Sequence, residues 1–247
     1  MSLSKEGKAF QRLLISSVLV AVTATVASGY SVSANNQVSL PNETLATLNL
    51  PKFDASAIPV GPGEWVELTG VNVAFEVRLA GARVELDNDA DYPQKGTAYV
   101  SNTAQSFSST VSLLLAGFST INAGDFGLTA SQSFDLEATT GDALGFTATG
   151  LGDYADWQPG TLTAGNGGDI HSMVWSDYVG TGDFQVSIKS LYLTSATFEG
   201  AHGYFQGNTP SGTFYGEVEY TYVIVPEPAT MSLLGMGAIA LLRRRRA

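Results

Sequence analysis

Residues 71–79 read VNVAFEVRL, with Val71, Val73, Phe75, Val77 and Leu79 on one parity and Asn72, Glu76 and Arg78 on the other. A period of two with apolar residues on one side only is the pattern of a half-buried β-strand. Gly81 interrupts it, and ARVELDN (82–88) resumes the alternation through Val84 and Leu86, so the two segments are expected to pair as a hairpin. The same period returns in TFYGEVEYTYVIV (213–225), with Phe214, Val218, Tyr220, Tyr222 and Ile224 on one face and Glu217 and Glu219 on the other. Further strand candidates are TAYVSN (97–102), SFSSTVSLLLA (106–116), QSFDLEA (132–138), LGFTATG (144–150) and DFQVSIKSLYLTSATFEG (183–200). NAGDFG (122–127), TTGDALG (139–145), TAGNGGD (163–169) and VGTGDF (179–184) read as turns, because Gly supplies positive φ and Asp or Asn bonds back to its own backbone. Within residues 35–225, residues 170–179 form the one stretch with helical character. Many short strands separated by such turns predict an all-β fold, an antiparallel β-sandwich or jelly roll. No low-complexity linker divides residues 35–225, which are therefore expected to form one domain.

Composition supports a folded, exported body. Of 247 residues, 44% are hydrophobic and only 14% charged, against about 25% charged in an average soluble domain. There is no cysteine, which removes disulfides, thiolate metal sites and a cysteine nucleophile. The formal net charge of -11 is unevenly spread. Seven of the twelve basic residues lie at the ends, Lys5, Lys8 and Arg12 in front and Arg243, Arg244, Arg245 and Arg246 behind. Between Asn35 and Val225 stand five basic and 21 acidic residues, a net charge of -16. Such a body repels nucleic acid and anionic lipid, so no nucleic-acid partner is expected.

Both ends read as addresses. Lys5, Lys8 and Arg12 precede the run LLISSVLVAVTATVA, and small residues follow, which is the plan of a cleaved signal peptide with a signal helix. Val32 and Ala34 meet the small-residue rule before a cut, so cleavage is expected after Ala34, with Ala27 as the alternative, and residues 1–34 form the signal peptide. At the other end Pro226 and Pro228 fix their own φ and hold Val225 and Glu227 extended, giving a stiff, non-helical stalk. The apolar segment that follows, Met231 to Leu242, is twelve residues long. As a helix it measures about 18 Å at ~1.5 Å per residue, too short for a hydrocarbon core of about 30 Å. The four arginines hold its far end on the cytoplasmic side, as the basic residues of the leader do at the front. The expected topology is a transient halt in the inner membrane with the anionic body outside.

VPEPAT, a short hydrophobic stretch and RRRR, in that order over residues 225–247, resemble the PEP-CTERM sorting signal of Gram-negative bacteria, with Pro226, Glu227 and Pro228 in the places of its Pro-Glu-Pro motif. The resemblance implies that residues 226–247 are recognised by an exosortase, an integral-membrane transpeptidase-like enzyme that passes its substrates to the cell surface or extracellular matrix. It covers the tail alone and leaves the body unassigned, since such tails are attached to unrelated domains.

Catalytic chemistry is hard to find in the body. His171 stands beside Ser172 and near Asp169 and Asp177, but there is no nucleophile elbow and no oxyanion loop. His202 is the other histidine, and two without a further spaced ligand make no zinc site. Glu217 and Glu219 share a strand face at a spacing that suits sugar hydrolysis, as do the acids of any solvated strand. Asp87, Asp89 and Asp91 alternate in LDNDADYPQKG and are the candidate ligands for calcium. It is not an EF-hand, because Tyr92 takes the place of the turn glycine and Ala98 that of the closing glutamate. Among the aromatics Trp65, Trp157, Trp175, Tyr154 and Tyr178, the pair Tyr154 and Trp157 in DYADWQPG is the candidate carbohydrate platform. The expected function is that of a non-catalytic structural or adhesive component of the exopolysaccharide layer of a biofilm. The alternative is a carbohydrate-binding module, calcium-assisted, and the third reading a glycan-active enzyme.

Overall fold

The computed structural model describes residues 29–139, 152–227 and 235–236. The signal segment up to residue 28, the strand expected at 144–150, Pro228 and the arginines 243–246 lie outside the described residues. Two compact units divide the described chain: residues 29–31, 55–69, 221–227 and 235–236 in one, residues 32–54 and 70–220 in the other.

Among the described residues, eleven strands run in chain order: β1 Gly29–Leu40, β2 Leu45–Pro51, β3 Glu64–Ala80, β4 Val84–Asn88, β5 Gln94–Ser109, β6 Leu128–Leu136, β7 Tyr154–Trp157, β8 Leu162–Asp169, β9 Asp183–Phe198, β10 Gly203–Gly207 and β11 Ser211–Pro226. They form three sheets, ordered β1-β11-β3-β8, β10-β4-β7 and β2-β9-β5-β6. The fold is all-β, and its registered pairings are antiparallel.

In the larger unit the alternation of 71–79 becomes one wall of the core. Val71, Val73, Phe75, Val77 and Leu79 are all at most 2% exposed. Phe75 of β3 stacks on Phe214 of β11 at 6.1 Å and meets Phe107 of β5 edge-on at 6.3 Å. Phe126 closes the cluster against Phe107 and Phe214. It is placed by a 3-10 turn, Ala123–Phe126, whose capping box joins Asn122 and Asp125, so NAGDFG is the turn its sequence promised. The sheet β2-β9-β5-β6 thus faces β3 and β11 across an aromatic layer, as in a sandwich. Its other end is covered by β4 and β7, where Ala82, Val84, Leu86, Ala98, Val100 and Leu136 form a second core cluster.

Three local expectations are corrected. β3 and β4 are not a hairpin: β3 pairs with β11 and β8, while β4 lies between β10 and β7 in another sheet. Gly81, at φ 70°, turns the chain out of the first sheet. Asn208 then clasps the link, accepting from the Arg83 N–H at 2.7 Å and donating to the Gly81 carbonyl at 2.8 Å. TAGNGGD is not a turn but most of β8, in register with β3 from Asn72↔Asp169 to Leu79↔Leu162. SFSSTVSLLLA is a strand only to Ser109; beyond it Leu114 and Leu115 make isolated bridges to Thr120 and Ile170. The helical stretch at 170–179 is a 3-10 helix, Ser172–Tyr178, with Tyr178 buried.

Candidate functional site

The tail begins where the last strand ends. β11 runs through Val225 to Pro226, the extended geometry that proline imposes on itself and on its predecessor. The next N–H, that of Glu227, donates to the Gly63 carbonyl at 2.5 Å. Gly63 sits at φ 76° in a tight turn closed by Glu64 N–H to Gly61 O at 3.2 Å and by Gly61 N–H to the Glu64 carboxylate at 2.8 Å. In the same unit Tyr30 stacks on Tyr222, with ring centroids 5.5 Å apart and planes 23° apart. Pro226 and Glu227 are thus an ordered strand end, with Glu227 exposed.

A polar constellation lies on the outer face of the β10-β4-β7 sheet. Register aligns two rows across it, Tyr204–Asp87–Tyr154 and Gln206–Glu85–Asp156. Arg83 reaches Glu85 at 2.8 Å and both oxygens of Asp156 at 3.0 Å. The Tyr154 hydroxyl donates to Glu85 at 2.5 Å. Burial, followed by that bond to Glu85, pushes the Tyr154 hydroxyl up to about 12. The hydrogen bonds from Arg83 hold the Asp156 carboxyl below its ordinary value. One cation, Arg83, thus stands among three carboxylates, Glu85, Asp87 and Asp156, beside two tyrosine rings and an amide.

This geometry redistributes the expected sites. Tyr154 and Trp157 stand three apart on β7, so the pleat sends them to opposite faces. Trp157 packs inward on the second core cluster, and Tyr154 faces out with Asp156. They do not form one platform; the register partner of Asp87 that supplies a second outward ring is Tyr204, 44% exposed. Asp87, Asp89 and Asp91 are not gathered around a common point, and among the described residues no group of three His, Cys, Asp or Glu side chains is placed to hold a metal. Asp87 is 2% exposed within β4, whereas Asp91 is exposed on the loop.

The residue that organises this loop is Asn88, fully buried, which the reading for carboxylates passed over. Its amide donates to the carbonyls of Tyr92 and Glu137 at 3.0 and 2.5 Å, and its carbonyl accepts from Ala90 N–H and the Gln94 amide at 3.0 and 2.5 Å. The only hint in the sequence was its place, an Asn with the parity of the inward Val84 and Leu86.

The triad around His171 is dispersed. His171 caps the Ser172–Tyr178 helix, its Nδ1 accepting from Met173 N–H at 3.2 Å, and its ring lies 4.6 Å from Phe118. Asp169 accepts from the Asn72 amide and Asp177 from the Ser112 N–H. His202 contributes its backbone carbonyl, which accepts from Asp89 N–H at 3.0 Å. Of the strand pair, Glu217 accepts from the Tyr215 hydroxyl at 3.0 Å and Glu219 is exposed. Arg78 lies 4.9 Å above the Tyr215 ring while paired to Glu76.

An antiparallel β-sandwich whose final strand leads directly into a Pro-Glu-Pro tail defines a class: a folded cargo joined to a C-terminal protein-sorting address. Residues 225–246 match the family model described as the PEP-CTERM protein-sorting motif. The chain carries that motif, which marks an exported protein sorted by exosortase at the membrane. No curated protein matches the chain. Among solved structures it is similar to a chain of the STIV MCP (11% identity, 78% of this chain and 48% of that one, TM-score 0.28). It is also similar to a chain of Desmodium yellow mottle tymovirus (12% identity, 81% and 89%, TM-score 0.17). The chain spans about half the length of the STIV protein. At these TM-scores the likenesses carry no argument. No described helix is long and apolar enough to cross a membrane.

Proposed function

We propose that the protein is a non-catalytic structural or adhesive component of the cell surface or extracellular matrix of a Gram-negative bacterium, delivered through its C-terminal tail. The observation that carries this reading is the sorting motif at residues 225–246, set at the end of β11 of a β-sandwich body. The anionic body supports it, because net negative charge favours solubility outside the cell and rejects anionic lipid. The test is the mass and location of the exported protein in cells that hold an exosortase. The expected form lacks Arg243 to Arg246, and alanine at Pro226, Glu227 and Pro228 leaves the precursor in the inner-membrane fraction. A surface form that keeps all four arginines would defeat the reading.

A second reading, carbohydrate binding, is favoured by the outer face of the β10-β4-β7 sheet. Tyr154 and Tyr204 flank Asp87 in one row, two strand spacings or roughly 10 Å apart. Aromatic faces beside carboxylates and an amide suit the stacking and hydrogen bonding of linked sugar rings. Titration with the cell's own polysaccharide should then give a saturable change in tyrosine and tryptophan fluorescence that Tyr204→Ala abolishes. An unchanged response in that variant would remove this face from consideration.

A further inference from the structure

The site at which the leader is removed follows from where β1 begins. Among the positions that meet the small-residue rule are Thr25 with Ala27 and Val32 with Ala34. They differ in what they would do to the fold. β1 runs from Gly29 to Leu40 and lies at the edge of its sheet with β11 as neighbour. A cut after Ala34 removes six of its twelve residues. It also removes Tyr30, whose ring stacks on Tyr222 of β11. Ladder groups of β11 opposite the lost segment would be left bare, and they belong to the strand that ends in Pro226 of the sorting motif. A cut after Ala27 leaves every residue of β1 in place.

The leader's own chemistry agrees. Residues 13–22, LLISSVLVAV, already supply a ten-residue apolar core, within the 7–15 that a signal peptide uses. TATVA (23–27) is then a complete small-residue exit, and SGYSVSA (28–34) is surplus to the leader. Its alternation of Tyr30 and Val32 with Ser31 and Ser33 is that of the strand it becomes.

We infer that signal peptidase cleaves after Ala27, and that residues 29–34 are retained as the structural edge covering the strand that carries the sorting motif. This rests on the reading of the protein as exported. The bond broken is the Ala27–Ser28 peptide, hydrolysed by water to give a new N-terminus at Ser28.

The test is N-terminal sequencing and intact mass of the full chain recovered from the exported fraction, beside the variants Ala27→Leu and Ala34→Leu. A bulky residue immediately before the cut blocks processing. The expected results are a wild-type N-terminus at Ser28, loss of processing in Ala27→Leu, and wild-type processing in Ala34→Leu. A mature chain beginning at Asn35, or processing lost only in Ala34→Leu, overturns the inference and leaves export standing. A wild-type chain that keeps Met1 overturns it together with the export reading.

Discussion

Asn88 shows what one side chain decides. It makes four side-chain hydrogen bonds where β4 ends, and the two it accepts, from Ala90 N–H and the Gln94 amide, are closed off from water. An orphaned buried group costs about 1–3 kcal/mol, so Asn88→Ala is expected to destabilise by about 3 kcal/mol, measured as a lower urea midpoint. Asn88→Asp should be no better, since a carboxylate cannot donate to the Tyr92 and Glu137 carbonyls. Phe118 is the opposite case. Its φ is 60°, and its ring is 73% exposed. The left-handed region costs an L-residue roughly 1–2 kcal/mol, and glycine returns about half of that through its unfolded-state entropy. Phe118→Gly is therefore expected to stabilise by about 0.5–1 kcal/mol, seen as a raised urea midpoint. Neither residue stood out in the sequence: an Asn beside three Asp reads as one more turn former, and a Phe carries no mark of its φ.

At the scale of elements, the lesson is β8. Five of its residues are Asn, Asp or Gly, a composition that predicts a turn. Yet a Cβ on Gly165 would lie 2.1 Å from the Phe75 carbonyl oxygen, and one on Gly167 2.3 Å from that of Val73. The strand approaches β3 so closely that glycine is required, and the composition that looked like freedom is a demand for space. Gly167→Ala must push β8 off β3 and is expected to cost about 3 kcal/mol or more, with earlier thermal unfolding than the wild type. Gly160→Ala is the control for φ alone, since its own Cβ would meet nothing within 4 Å at φ 76°. β2 illustrates a signal that was present and passed over: Ala46, Leu48 and Leu50 alternate and are buried, but the run is seven residues and ends in Pro51. Short strands such as β7 and β10 have too few residues for a period to declare itself.

At the scale of the whole molecule, the buried hydroxyls set an alkaline limit. Tyr178, Tyr192 and Tyr220 donate to the carbonyls of Ser112, Leu40 and Pro51, and burial raises all three well above the ordinary tyrosine value. Tyr154, at about 12, is raised less. A hydroxyl whose folded value exceeds its unfolded value of about 10 favours the protonated fold. The stability it supplies is therefore complete below about pH 10 and is lost as pH rises through the folded values. Alkaline titration should show tyrosinate absorbance appearing late, together with loss of the β circular-dichroism signal. Independent, gradual titration of all the tyrosines with the fold intact would contradict this. By itself the sequence determined the all-β class, the inward parity of 71–79 and 214–220, the segregation of charge and the tail's address, because burial on one face, turn chemistry and a linear signal are properties of neighbours along the chain. Only the tertiary structure decided that β3 and β4 part into different sheets, that glycines build β8, that Tyr154 turns away from Trp157 towards Glu85, and that the three aspartates stay apart. Each of those depends on which strand lies alongside, and a strand's own residues do not record their partner.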